Sequence, residues 1–277
     1  MLAQLLPDLR CPVCAGPLAA AGRAVRCPRG HSFDVARQGY LNLLAGRAPG
    51  GDDAAQVAAR AQLLDSGAFD FVSRALAAHC ADAGDGLVVD LGGGTGHHLA
   101  AVLDALPAAR GLALDVSKAA ARRAARAHPR AASVVCDAWR GLPLGDGRAA
   151  LVLDVFAPRN GAEFHRVLCP GGALLVVTPR ADHLAELVSA FGLLTVDPDK
   201  DVRLSRTLDR WFRSEGSWEY AHELTLSPAD ALTVVAMGPS ARHRSPADLA
   251  AIAGTWAAPK TVTAAVRVGL YRRREDP

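Results

Sequence analysis

Four side chains near the start of the chain have the types and spacing of metal ligands: Cys11, Cys14, Cys27 and His31, in the pattern Cys-x2-Cys-x12-Cys-x3-His. Three thiolates and an imidazole fill a tetrahedron around zinc and leave no open position for a substrate, so the expected role is structural. Pro12 in one pair, and Pro28 with Gly30 in the other, permit the tight turns that aim the ligands at a common point. The residues between them, GPLAAAGRAVR, read as two short strands around a Gly-containing bend. The result is a zinc-ribbon-like hairpin too small to fold without its ion.

A second set of chemistry-bearing residues starts at LVVDLGGGTGHH, where an apolar run ends in Asp90, a turn follows at Gly92, Gly93, Gly94 and Gly96, and a helix-like segment opens at His97. Glycines let backbone amides approach a ligand closely, and a helix N-terminus favours electron-rich groups. Nucleotide, flavin and S-adenosylmethionine sites all use such a loop. The next strand, GLALD, ends in Asp115 about 20 residues further on, where an acid accepts hydrogen bonds from both hydroxyls of an unphosphorylated ribose. A third strand, AASVVCD, ends in Asp137, placed to receive an adenine amino group. Three successive strands therefore end in acids.

The elements that must position these residues alternate. Helices are expected from about Asp53 to Leu64 and from Phe69 to Cys80, with a break at Asp65-Ser66-Gly67, before the first strand. A helix runs from His97 to Leu106 and another from an N-cap at Ser117 to Ala127. Then come a fourth strand, AALVLDVF, a turn, VLCPGG, and a fifth strand, ALLVVTP. A helix near Asp182 to Ala190, a strand WEYAHELTL, a helix opened by Ser227-Pro228 and a last strand TVTAAVRVGLYRR complete the series. Strands alternating with helices make an α/β sheet with ligand residues at strand carboxyl ends, and the two late strands fit a sheet whose final strand inserts antiparallel.

This arrangement resembles the class I S-adenosylmethionine-dependent methyltransferases, a Rossmann-like α/β fold, on Asp90 to Gly96, Asp115, Asp137, Asp154 to Pro158 and Pro170-Gly171-Gly172. Joined to the Cys/His cluster, GHSFDVARQGYLNLL (30 to 44) and TPRADHLAEL (178 to 187) make almost the whole chain resemble the 23S ribosomal RNA guanine-N1 methyltransferases. Actinomycete members of that family include enzymes that protect ribosomes against macrolides such as tylosin, and the Arg- and Ala-rich composition with MGPSARH (237 to 243) leans towards that branch.

The resemblance implies zinc on Cys11, Cys14, Cys27 and His31, and an S-adenosylmethionine site bordered by Phe69, Asp90, Gly92, Gly94, Thr95, Gly96, Asp115, Asp137 and His183. Phe69 stands where the family has an aromatic residue after Asp-x-Gly; only a packing role carries over, because a Tyr hydroxyl is absent. Ala181-Asp182 precede His183 where the family often has Pro-Arg. A zinc-binding RNA-recognition module is expected at 1–45 and a methyltransferase domain at 46–277, with a helical bridge at 46–84 and a glycine- and proline-rich linker at 45 to 53. The implied substrate is a guanine in the loop of helix 35, and a homodimer with a cleft for RNA is implied as well. Asp154 and His183 are the candidate proton acceptors for guanine N1. The alternatives are that Asp154 faces a helix within its strand and that His183 covers the cofactor.

Composition sets the remaining bounds. The 277 residues allow one large domain and a small appendage. No apolar run approaches the roughly 20 residues that cross a bilayer. MLAQLLPDLR lacks the form of a signal peptide, so a reducing cytoplasm is expected. There, Cys80, Cys136 and Cys169 read as small buried hydrophobes. The net charge of +3 is too small to require a nucleic acid partner, yet residues 10 to 47 hold Arg10, Arg23, Arg26, Arg29, Arg37 and Arg47 against one acid, Asp34. Those from Arg23 onward either grip RNA phosphates or form a solvated face. Trp139, Trp211 and Trp218 either stack on an extruded base or pack in the core. Two rival functions remain at this level: a small-molecule methyltransferase, and an inactive zinc-dependent RNA-binding protein.

Overall fold

A computed structural model describes residues 1–44, 46, 50–195, 207–238 and 245–275. Arg47, part of the 45–53 linker and residues 239–243 of the MGPSARH stretch lie outside the described residues. The elements are α1 (Leu2–Leu5), β1 (Ala19–Ala21), β2 (Ala24–Arg26), β3 (Ser32–Asp34), β4 (Leu41–Asn42), α2 (Ala54–Asp65), α3 (Asp70–Ala78), β5 (Leu87–Leu91), α4 (His97–Ala105) and β6 (Arg110–Asp115). They continue as α5 (Lys118–Ala124), β7 (Ala131–Val135), β8 (Ala149–Val155), α6 (Gly161–Val167), β9 (Leu168–Pro179), α7 (Ala185–Phe191), β10 (Phe212–Leu226), α8 (Pro228–Met237), α9 (Pro246–Gly254) and β11 (Lys260–Arg273).

Eight strands form one sheet in the order β10-β11-β9-β8-β5-β6-β7-β4. β4 to β9 pair in parallel, while β11 runs antiparallel between β9 and β10, as the sequence pattern predicts. The parallel strands read as continuous apolar runs because helices cover both faces; every residue of β5 and β7 is buried. One core face collects Leu76, Leu99, Leu103, Leu153 and Phe191. The other collects Leu5, Leu9, Val89, Leu112, Phe164 and the module residues Leu18, Val25 and Phe33.

Four boundaries differ from the sequence pattern, each for a tertiary reason. The front hairpin gains a third strand, β3, antiparallel to β2. β4 leaves the front segment and pairs in parallel with β7, Leu41 opposite Val134, so the first 45 residues supply an edge of the main sheet. β10 begins at Phe212, six residues before the expected Trp218, because its pairing with β11 runs from Phe212↔Arg273 to Leu226↔Lys260. α7 starts at Ala185 rather than Asp182, since Leu184 sits at φ +54 and its N–H is bonded to Thr263 O of β11 at 2.7 Å. Among the described residues, no helix is long and apolar enough to cross a membrane.

Candidate metal centre and donor site

The two turns of the front module bring their ligands to one point. Cys27 Sγ lies 3.3 Å and Cys11 Sγ 3.5 Å from His31 Nδ1, and Cys14 Sγ lies 3.6 Å from Cys27 Sγ. All four ligand atoms fall within 4.8 Å of one another. A zinc ion with Zn–S near 2.3 Å and Zn–N near 2.0 Å gives tetrahedral edges of roughly 3.5–3.8 Å, so the donor set and its spacing fit zinc. The turns are built by the chain itself: Cys11 N–H donates to Gly16 O, Ala15 takes φ +56, and Cys27 N–H donates to His31 O across Gly30 at φ +85. Strand β1 is largely exposed and β2 buries only Val25, so packing within the hairpin is thin and the ion must replace it.

The glycine loop sits at the carboxyl end of β5. Gly94, at φ +53, donates its N–H to Asp115 Oδ2 at 2.9 Å, and Ser117 N–H donates to Asp115 Oδ1 at 2.7 Å. Gly96 takes φ +79 where α4 begins, and a Cβ there would lie 2.8 Å from Ala127 Cβ, which fixes this residue as glycine. The helical bridge holds the loop from outside. Arg60 of α2 pairs with Asp52, donates to Met237 O of α8 and lies beside Gly94. Ser73 of α3 bonds His98 of α4 at 2.9 Å.

Three carboxylates face this edge. Asp90 is buried, and its pKa is pushed up to about 8, first by burial and then by the charges of Asp115 and Asp154. Asp115 is also raised, mainly by burial, against the pull of the Ser117 and Gly94 amides. Asp154 is fully buried, with Oδ1 3.6 Å from Nε of Arg159. Arg159 Nε and Nη2 are themselves buried without a hydrogen bond among the described residues. Such a site fits a ligand that brings both charges: S-adenosylmethionine carries a sulfonium and an ammonium for the carboxylates and a carboxylate for a buried guanidinium.

The remaining candidates divide. Asp137 stands at the carboxyl end of β7, where it caps a short turn by accepting from Trp139 N–H at 3.0 Å. Thr95 lines a cavity of about 550 Å³ between α3 and α4. His183 is half-buried, with Nδ1 against the backbone of Ala265, 2.9 Å from its O and 3.1 Å from its N. Phe69 is buried, its ring edge-on to His183 at 6.2 Å, in keeping with a packing role. Trp218 stacks on His79 at 3.7 Å, and Trp211 packs against His165 at 5.3 Å, so each already has a ring partner. Trp139, by contrast, is 66% exposed. Arg23, Arg26, Arg29 and Arg37 are exposed on the front module. Cys80 and Cys136 are buried, whereas Cys169 is only partly so.

Sequence reasoning passed over Phe156, within the quoted Asp154 to Pro158 stretch. It takes φ +55, a conformation costing a non-glycine residue roughly 1 kcal/mol, and it is 41% exposed. A cleft of about 850 Å³, whose place the sequence did not specify, opens between the first zinc turn and the 140–146 loop, lined by Arg10, Val13, Leu43, Asp137 and Arg140.

Residues 9–47 match the family described as RlmA, N-terminal, a zinc ribbon, and residues 88–172 match the family described as Methyltransferase domain. A protein of Micromonospora griseorubida assigned as a 23S rRNA (guanine-N1)-methyltransferase is 57% identical, over 97% of this chain and 98% of its own. The 23S rRNA (guanine(748)-N1)-methyltransferase of Streptomyces fradiae is 54% identical, over 87% of this chain and 88% of its own. A Bacillus subtilis protein assigned to the same activity is 37% identical, over 64% of this chain and 66% of its own.

Proposed function

The chain belongs to the 23S rRNA (guanine-N1)-methyltransferase family, and from that premise we propose that it methylates N1 of the guanine corresponding to position 748, in the hairpin loop of helix 35. The observation that carries this reading is the joint presence, in one chain, of a complete Cys3His cluster and an acid-lined glycine loop at the carboxyl edge of the sheet. S-adenosylmethionine, when bound, supplies a sulfonium methyl open to attack by a nucleophile in line with the departing sulfur. Asp115 is the residue for the ribose, Asp137 for the adenine end, and Asp90 for the ammonium, which offsets the cost of its buried charge.

Transfer replaces the N1–H of neutral guanine by N1–CH3, so a proton must leave as the bond forms. His183 is the better placed of the two candidate acceptors. His183 Nδ1 faces both Ala265 O and Ala265 N–H, and the tautomer that donates Nδ1–H to the carbonyl is the one whose Nε2 would take the proton. Asp154, fully buried against Arg159, instead acts through its charge on Asp90.

Residues 1–45 serve as the RNA-recognition module, in which zinc fixes the turns and Arg23, Arg26, Arg29 and Arg37 hold phosphates without reading sequence. Residues 46–277 serve as the methyltransferase domain, with 46–84 as a bridge that braces the glycine loop. We further propose a cytoplasmic homodimer, and protection of the ribosome against macrolides as the biological role.

The test is incubation of zinc-replete protein with labelled S-adenosylmethionine and an unmodified 23S rRNA fragment, the modified base being read by arrest of reverse transcription. A single donor-dependent stop at the loop guanine is expected. Methylation of a small molecule with no mark on RNA would support a metabolite enzyme. RNA binding without any transfer would support an inactive binding protein.

A further inference from the structure

Resting on that reading, we propose that Phe156 is the seat of the target guanine: its exposed ring, beside His183, is the surface against which the extruded base lies at the methyl end of the donor. Of the seven phenylalanines, Phe33, Phe69, Phe71, Phe164, Phe191 and Phe212 are each no more than 9% exposed, while Phe156 is 41% exposed. A single exposed apolar ring is ordinary by itself, but here the backbone adopts a left-handed conformation to present it. Phe156 is held at φ +55 with its N–H bonded to Val177 O of β9 at 3.2 Å. The next residue, Ala157, closes on the glycine loop, where a Cβ on Gly92 would come within 2.7 Å of Ala157 Cβ. A strained residue is thus clamped between two strands and the donor loop, with only its ring turned outward.

Strand order assigns the end of the donor that it meets. The acids for adenine and ribose stand on β7 and β6, and β8 lies beyond β5 on the opposite side. The sulfonium end therefore falls toward β5 and β8, where Phe156 is. Trp139, the other exposed ring, follows β7, three strand spacings or roughly 14 Å away, too far to share one base with Phe156. The Phe156 ring lies 5.8 Å from the His183 ring at 40°, and buried Phe69 backs His183. A base laid on Phe156 is then flanked by the imidazole that would receive its N1 proton.

The experiment compares Phe156→Tyr, Phe156→Leu and Phe156→Gly in the full-length, zinc-loaded protein. It reads kcat/KM on an rRNA hairpin, donor affinity by calorimetry, and melting temperature. Tyr keeps the aromatic face and should hold activity within about threefold, whereas Leu and Gly should lose roughly ten- to a hundredfold. Donor affinity should not move, and Gly should melt no lower than the parent because it relieves the left-handed strain. Full turnover in the Leu and Gly variants would overturn the proposal, as would a donor affinity that falls in step with turnover. A parent protein that marks no RNA would overturn the activity itself, which an active parent with an equally active Leu variant would leave intact.

Discussion

The metal cluster draws its ligands from residues 11 to 31, whereas the proposed donor edge would draw Asp90, Asp115, Asp137 and Asp154 from at or just beyond the ends of four separate strands. The first is assembled by two turns whose strands bury little, so its folding is the binding of the ion. The second is assembled by a sheet whose strands β5 and β7 are buried throughout, a frame that places its acids before any ligand arrives. The contrast is between a site that makes its own fold and a site that inherits one. It implies that the two can be broken separately, although β4 and the buried Leu5, Leu9 and Leu41 physically join them.

The largest expected effect comes from attacking the local site. Cys11→Ser with Cys27→Ser should abolish zinc binding and, since structural zinc contributes on the order of 10 kcal/mol, unfold the hairpin. RNA methylation should fall more than about a hundredfold, while donor affinity stays within about tenfold because its acids stand on metal-independent strands. Zinc analysis, hydrogen exchange over residues 11–34 and donor calorimetry make the comparison. Parallel loss of donor binding would mean that β4 couples the two regions into one cooperative unit.

Next in size is Asp115→Ala, which strands the N–H groups of Gly94 and Ser117 and removes the ribose acceptor. Donor affinity should weaken by roughly ten- to a hundredfold with bound zinc unchanged. An unaltered affinity would remove Asp115 from the site.

A smaller effect sharpens the electrostatic half of the contrast. Between the ordinary carboxylate value near 4 and about 8, folded protein keeps a proton on Asp90 that the unfolded chain has released. The stability of donor-free protein should therefore fall as pH rises across that window, and donor affinity should rise as Asp90 ionises. Denaturant titrations from pH 5 to 8.5 should show a slope that Asp90→Asn flattens. An identical slope in the variant would assign the titration elsewhere.

Smallest of all are single Arg→Ala changes at Arg23, Arg26, Arg29 or Arg37. Each should reduce the dependence of log affinity for RNA on log salt by about one and leave donor binding alone. Salt slopes untouched by all four would move RNA off the front module.

What could be seen in the sequence follows the same division. The Cys/His spacing and the glycine run are short-range patterns; the first names its chemistry by itself, whereas the second does so only together with the acids that end the following strands. The succession of strands and helices along the chain was equally visible, since buried parallel strands are continuous apolar runs between helices. Contacts between distant segments were hidden. Nothing in Leu41-Asn42 says that it will pair with β7, and nothing in Asp182 to Leu184 says that bonds to Thr263 and Ala265 will delay α7. The sequence left Asp154 open between a proton acceptor and a strand residue facing a helix, because its burial against Arg159 is a tertiary fact, and Phe156 looked like one more strand residue until its backbone angle was visible.

The most direct test of the central claim is nucleoside analysis of 23S rRNA digested after reaction with zinc-replete protein and S-adenosylmethionine. One equivalent of N1-methylguanosine per RNA, absent without donor, is the predicted product. A methyl on N2, N7 or a carbon, or no methylated nucleoside from protein that binds the donor, would contradict it.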